Sequence, residues 1–301
     1  MADTVAVVVP VHDNAGTLPA LHEGLTGAMA VLGRPWVVLY VDDASTDASW
    51  RWVRDQAATD AHVAGIRLAT NVGQTRAVAT GIAVAVATTS PGVVATIDAD
   101  LDYDPGQLPE LLDALAGPRA VAAGVRTVRT GSSAAQVAAS AAFNLTLRVA
   151  TGYRLGDVGC GYIAMSAAVA ADVGSAGARR LAIRPLLSDL AGTVAQVPVT
   201  YRTRSGGGTG WRARVAIATE VLAVGRGPAG ALAAVAVAAL VRAGPRRRRP
   251  GPVVLAALAT ATSAALTRRH RVLVATAAGP LAEVAEAVGA GQGDGGVGAP
   301  G

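Results

Sequence analysis

The chain has 301 residues, 51% of them hydrophobic, enough to bury a large α/β core with an appendage and too apolar for a disordered protein. Its 26 basic residues are all arginine, so lysine chemistry is excluded; the single cysteine, Cys160, excludes an internal disulfide, and His12, His22, His62 and His270 are too scattered to suggest a zinc site. Residues 1–211 hold 15 arginines and 17 acids, whereas residues 212–301 hold 11 and 4; with only 3% aromatic residues and no groove-reading module, this basic region suits anionic lipid and not nucleic acid.

The amino terminus, Met1-Ala-Asp-Thr, has neither the basic nor the apolar stretch of a signal peptide, so a cytoplasmic location is expected, at the inner face of the membrane. Strand-like runs follow at Val5–Val9, Val37–Val41, Val63–Leu68, Val93–Ile97 and Ala120–Val125, each separated from the next by a helix-compatible stretch. That alternation predicts βαβ units and a parallel sheet covered on both faces. Beyond residue 126 the pattern predicts a helix over Ser132–Thr151, a glycine-rich turn at Gly156–Gly161, a helix near Arg179–Gly192 and a strand at Val194–Tyr201. The glycine-rich stretch 205–210 reads as a flexible loop, which places a boundary near residue 211.

Three regions are therefore expected: a catalytic domain over 1–211, a helical Ala/Arg-rich region over 212–288, and a disordered tail over 289–301. The uncharged runs 227–241 and 250–267 fall short of the roughly 20 residues that span a bilayer, and a hairpin made from them would put Arg242 and Arg246–Arg249 outside. Helices lying on an anionic membrane surface suit the charge better than spans, with a plain soluble appendage as the alternative.

Polar residues terminate the strand-like runs: Pro10 the first, Asp42-Asp43 the second, Asp98-Ala-Asp100 the fourth. In open α/β sheets ligands bind at the carboxyl ends of strands, so Asp42 and Asp98 are expected in a site, whereas Asp43 and Asp47 read as loop or helix-capping residues. Asp98, Asp100, Asp102 and Asp104 alternate. In extended backbone, Asp98 and Asp100 would face the same way and could share a hard cation, or a ribose and a cation. With 16 aspartates in the chain an Asp-x-Asp pair arises by chance, and only the position after a strand makes this one specific.

Val5–Asn14, Val41–Asp47, Asn71-Val-Gly-Gln74 and Ile97-Asp-Ala-Asp-Leu101, in this order and spacing, resemble glycosyltransferase family two, which has the GT-A fold. Gly124-Val-Arg126, the Asp157–Tyr162 turn and Val197–Arg202 are similar to its dolichol- and polyprenyl-phosphate sugar synthase branch. The resemblance covers about residues 5–215. It implies an inverting transfer of a sugar from a nucleotide-diphosphate sugar to an acceptor, polyprenyl phosphate first and a small-molecule or saccharide hydroxyl second. It further implies that Pro10, His12 and Asp42 border the nucleobase. Asp98 and Asp100, with Asp102, would hold Mg²⁺ or Mn²⁺ against the diphosphate, and Arg126, Arg202 and Arg204 would meet phosphate oxygens. Asp157 would stand on the acceptor side, as general base for a hydroxyl or as a positioning group for an ionised phosphate. His12 stands where the family usually has tyrosine, Asp102 where the branch more often has glutamine, and the branch's basic loop is replaced by Arg204-Ser-Gly-Gly-Gly-Thr-Gly-Trp211. A sugar nucleotidyltransferase would need a lysine-bearing glycine loop that Pro10–Thr17 lacks, and an inactive nucleotide-sugar-binding scaffold is the rival of another class.

Overall fold

In a computed structural model of the chain, residues 4–130, 157, 159–175, 187, 190–202 and 282–289 are described. Four parallel strands form the centre: β1 (Val5–Val11), β2 (Trp36–Asp42), β3 (Val63–Leu68) and β4 (Val93–Thr96). They are joined by α1 (Leu18–Leu32), α2 (Ser49–Ala57) and α3 (Gln74–Thr89). After β4 come a short 3₁₀ turn, Pro105–Gln107, and α4 (Leu108–Asp113), followed by β5 (Ala120–Thr130), β6 (Ile163–Ser166), α5 (Ala167–Ser175), β7 (Thr193–Arg202) and β8 (Val284–Gly289). The eight strands lie in the order β7-β5-β6-β4-β1-β2-β3-β8.

All seven residues of β1 are buried, and the period of two divides them between layers. Val5, Val7, Val9 and Val11 pack with Leu18, Leu21 and Leu25 of α1, Trp50 and Val53 of α2, and Leu108 and Leu111 of α4. Ala6 and Val8 face the other layer, with Ala77 and Ile82 of α3 and Val169 and Val173 of α5. Each such valine or leucine contributes about 1.5–3 kcal/mol by leaving water. Gly81 lets α3 lie close on the sheet: a Cβ there would fall 2.5 Å from Val8 Cγ1 and 2.6 Å from Val41 Cγ2.

The parallel βαβ pattern is as expected, but two strands differ from the sequence reading. β6, unexpected, runs antiparallel between β4 and β5, so its amino end arrives at the edge where the other central strands terminate. β8, placed by sequence in the helical region 212–288, instead pairs antiparallel with β3 at the sheet edge. It is pinned by Trp50 Nε1 donating to Glu286 Oε2 at 2.9 Å and by the Ala69 amide donating to the Glu283 carbonyl at 3.0 Å. The open edge of β3 supplies backbone partners that local propensity in this alanine-rich stretch does not reveal. The expected helix over 132–151, the apolar runs 227–241 and 250–267, the loop 205–210 and the tail beyond 289 lie outside the described residues. No helix among the described residues is long and apolar enough to cross a membrane.

Candidate active site

β1 pairs with β2 on one side and β4 on the other, so the strand order reverses between β1 and β4, and a ligand crevice is expected at the carboxyl ends of these two strands. A cleft of about 510 Å³ occupies this position. Pro10 lines it from β1 and His12 from the loop that follows, Asp98, Asp100 and Asp102 from the segment after β4, and Gly73 and Gln74 from the cap and first residue of α3; Arg126, Gly159 to Gly161 and Tyr201 complete the lining.

The acidic segment is not extended. β4 ends at Thr96, the chain turns at Ala99–Asp100, and Leu101 takes a left-handed φ of 60°. Such a conformation in a bulky residue costs of order 1–3 kcal/mol and is tolerated where the surroundings enforce it. The turn, and not strand alternation, brings Asp98 and Asp100 to one cleft. Asp100 Oδ1 accepts from the Asp102 amide at 3.0 Å, and loss of solvent to the cleft walls raises the Asp100 carboxyl above the usual aspartate value although the residue is exposed at the mouth. Asp104 lies outside this group and caps the 3₁₀ turn through Gly106 N at 2.9 Å.

Asp98 is held from two sides. Gln74 Nε2 donates to its Oδ1 at 2.6 Å, and the backbone of Gly161 lies directly behind it, where a Cβ would fall 2.6 Å from Oδ2. Thr96 Oγ1 donates to the Gly161 carbonyl at 2.7 Å and fixes that approach. Neither Gln74 nor Gly161 carries a role in the sequence reading, although both fall within its motifs; the signal was the spacing, and the partner was not visible.

At the other end, Asp43 and not Asp42 faces the cleft. Asp42 is fully buried and does not line the cleft: its Oδ2 is 3.3 Å from Arg67 Nε, its Oδ1 has no hydrogen-bond partner among the described residues, and burial raises its pKa against the opposing pull of Ser45 and Arg67. Asp43 lines the cleft and accepts from the amides of Val72 and Gly73 at 2.7 and 2.8 Å. The Asp43 carbonyl lies 3.0 Å from His12 Nδ1, and Asn71 Nδ2 lies 3.2 Å from His12 Nε2. Asp47 accepts from Ser49 N at 2.8 Å, the helix-start role expected of it.

Asp157, expected as a base on the acceptor side, does not line the cleft either. It is 2% exposed and receives Arg126 in a two-pronged pair, Nε to Oδ2 and Nη2 to Oδ1, both 2.7 Å. Burial acts against the Arg126 charge, but the Asp157 carboxylate outweighs it and raises the guanidinium pKa. Arg126 also lies 5.0 Å from the ring centre of Tyr201, which packs on Tyr103, itself in contact with Tyr162. Arg202 is exposed and outside the cleft lining, though its amide donates to the Asp102 carbonyl at 2.8 Å and fastens the acidic loop to β7; Arg204 lies outside the described residues.

A mostly parallel sheet with an acidic crevice at its switch point defines an α/β protein of the GT-A type. The sequence profile of Glycosyl transferase family 2 matches residues 6–174, more than half of the chain, and the chain belongs to that family. Among its relatives is the undecaprenyl-phosphate 4-deoxy-4-formamido-L-arabinose transferase of Pectobacterium carotovorum subsp. carotovorum, 34% identical over 157 residues, covering 52% of this chain and 46% of that protein. The enzyme of the same name from Aeromonas hydrophila is 34% identical, covering 52% and 47%. The chain thus spans about half the length of the curated relatives it matches. Glucosyl-3-phosphoglycerate synthase from Mycobacterium tuberculosis, solved with uridine diphosphate, shares the fold with a TM-score of 0.50 at 19% identity, covering 74% of this chain and 80% of that one. TarS from S. aureus, solved with UDP-GlcNAc, has a TM-score of 0.50 at 14% identity, covering 80% and 73%.

Proposed function

We propose that the chain transfers a sugar from a nucleotide-diphosphate sugar to a polyprenyl phosphate, with a divalent cation at the acidic end of the cleft. The observation that carries this reading is one cavity lined both by Asp98, Asp100 and Asp102 and by the guanidinium of Arg126. Its relatives in Pectobacterium and Aeromonas, undecaprenyl-phosphate 4-deoxy-4-formamido-L-arabinose transferases, support polyprenyl phosphate as the acceptor.

Among the described residues no three His, Cys, Asp or Glu side chains gather to hold an ion by themselves. This donor set suits Mg²⁺ or Mn²⁺ bound to a diphosphate, because such hard ions use one or two carboxylates and complete their shell with phosphate oxygens and water. Asp98 and Asp100 would hold the ion, Asp102 would border it, and when bound it would offset the charge of the departing diphosphate. Pro10, His12, Asp43 and Asn71 line the part of the cleft left for the nucleoside. The acceptor oxygen attacks the anomeric carbon as the bond to the diphosphate breaks, and this direct displacement inverts that carbon.

The excess of arginine in residues 212–301, with Arg246–Arg249 in succession, supports an anionic membrane surface, at the cytoplasmic face, as partner.

The test is release of nucleoside diphosphate by the full chain from a panel of nucleotide sugars, with Mg²⁺ or Mn²⁺ and with or without polyprenyl phosphate. Acceptor-dependent release that disappears in Asp98→Ala and Asp100→Ala is expected. No release from any donor leaves a binding scaffold, release to hydroxyl acceptors alone removes the lipid phosphate, and undiminished turnover in chelator removes the cation.

A further inference from the structure

Consecutive amides in the loop between β1 and α1 are spent on side chains of the segment that leads from β2 into α2. The Asp13 amide donates to Ser45 Oγ at 3.1 Å, the Asn14 amide to Ser49 Oγ at 2.9 Å and the Ala15 amide to Asp47 Oδ2 at 3.0 Å. Asp13 returns the contact, its Oδ1 accepting from the Thr46 amide at 2.8 Å and the Asp47 amide at 3.2 Å. The Thr46 amide above all holds the Asp13 carboxyl below the usual aspartate range, so the acceptor stays charged. Each loop carries a left-handed non-glycine residue, Asp13 and Ala44, both with φ of 54°. Such strain persists where the surroundings enforce it, and the bonds between the loops do so here. His12 and Asn14, on either side of Asp13, and Asp43, beside Ala44, line the cleft, whereas Asp13 itself does not. The Asp43 carbonyl can only accept, so the proton of His12 sits on Nδ1, 3.0 Å away, and the Asp43 carboxylate grips the Val72 and Gly73 amides ahead of α3. The loops after β1, β2 and β3 thus form one connected rim.

From this geometry we infer that Asp13 is a positioning residue, which laces these loops together and holds His12 and Asp43 in place for the nucleoside of the donor. The inference rests on the transferase reading and deepens it at the donor end. A pocket whose rim is already fixed loses little further freedom when its ligand enters. Without the lacing the rim would visit other arrangements, and the apparent affinity would fall with the fraction of molecules that keep the competent one. The Asp98 carboxylate, at the cation end, is held instead by Gln74 and Gly161, neither of which bonds to Asp13. Loss of the Asp13 carboxylate therefore weakens the nucleoside end selectively.

Asp13→Gly tests this, because glycine takes the left-handed φ without strain and only the carboxylate is lost. The full chain is titrated calorimetrically with UDP and GDP, each with Mg²⁺. For the nucleotide that wild type binds, the dissociation constant should rise about tenfold, a competent fraction of about one in ten. Binding of inorganic pyrophosphate with Mg²⁺ should stay within about twofold of wild type, since that end of the cleft is independent of Asp13. Asp13→Asn, whose amide oxygen can still accept from Thr46 and Asp47, should keep nucleotide affinity within about threefold of wild type. Nucleotide affinity unchanged in Asp13→Gly, or pyrophosphate weakened to the same degree, would overturn the inference. Thermal melting of each variant separates misfolding from these effects. Should wild type bind neither nucleotide, the donor reading fails by itself, and the lacing is read by amide hydrogen exchange. Slow exchange at Thr46 and Asp47 that becomes fast in Asp13→Gly supports it, and exchange already fast in wild type overturns it.

Discussion

The carboxylate of Asp98 rests against the backbone of Gly161, so closely that a Cβ on the glycine would fall 2.6 Å from Asp98 Oδ2. Asp98 follows β4 and Gly161 precedes β6, and the two meet because β6 is antiparallel to β4. Gly161→Ala should therefore displace the acidic turn. Overpacking of this kind costs about 1–3 kcal/mol, visible as a lowered melting temperature. The larger effect is expected in transfer activity, with a loss of at least about tenfold, since small misplacements of reacting groups are costly.

Gln74 contacts the other side of the same carboxylate. Removing a partner that orients a metal-binding group typically weakens metal binding by about 10–100-fold. Gln74→Ala should show that loss in Mn²⁺ titrations followed by electron paramagnetic resonance with nucleoside diphosphate present and no turnover. Unchanged affinity would separate Gln74 from cation binding.

The neighbours Asp42 and Asp43 should respond in opposite ways. Asp43→Ala frees two loop amides at the cleft and should raise the KM for the donor, whereas Asp42→Asn should leave it unchanged. Burial raises the folded-state pKa of Asp42, so the charged carboxylate opposes folding above its unfolded value, and stability from this group grows as pH falls through the folded value. Asp42→Asn is expected to leave the melting temperature at pH 8 unchanged or higher, with any gain shrinking toward pH 4.

Asp60 gives the reverse sign. Desolvation works to raise its pKa, but hydrogen bonds from the His62 amide and ring and from His22 outweigh it and lower the value. His22 Nε2 lies 3.1 Å from Asp60 Oδ2, and His62 Nδ1 lies 3.0 Å from Oδ1. The stability gained is present above the unfolded pKa, near 4, and is lost as pH falls through the lower folded value. Asp60→Asn should cost about 1 kcal/mol at pH 6–7 in denaturant melts, and the difference from wild type should close below about pH 4.

Valine-rich runs made the central sheet legible: β3 falls at Val63–Leu68 as read, and β1, β2, β4 and β7 differ only at their ends. β6 escaped notice because four residues, Ile163–Ser166, are too few to show a period, and β8 because Val-Ala-Glu-Ala-Val-Gly has no strong strand preference away from β3. In the site, the motif after β4 was found for a reason that proved incomplete, since the turn at Ala99–Asp100 and not extended backbone gathers Asp98 and Asp100. Which of Asp42 and Asp43 faces the cleft depends on where the strand stops, the least legible feature of a sequence. The Asp157–Arg126 pair joins residues 31 apart and has no local signature.

The pairing of β8 with β3 also has a temporal meaning. A ribosome delivers Val284 only after the strands that carry the cleft have emerged, so during synthesis the β3 edge stays unpaired until the last part of the sheet arrives. An exposed edge of this kind invites association with other nascent chains, and its closure marks the point at which this hazard ends.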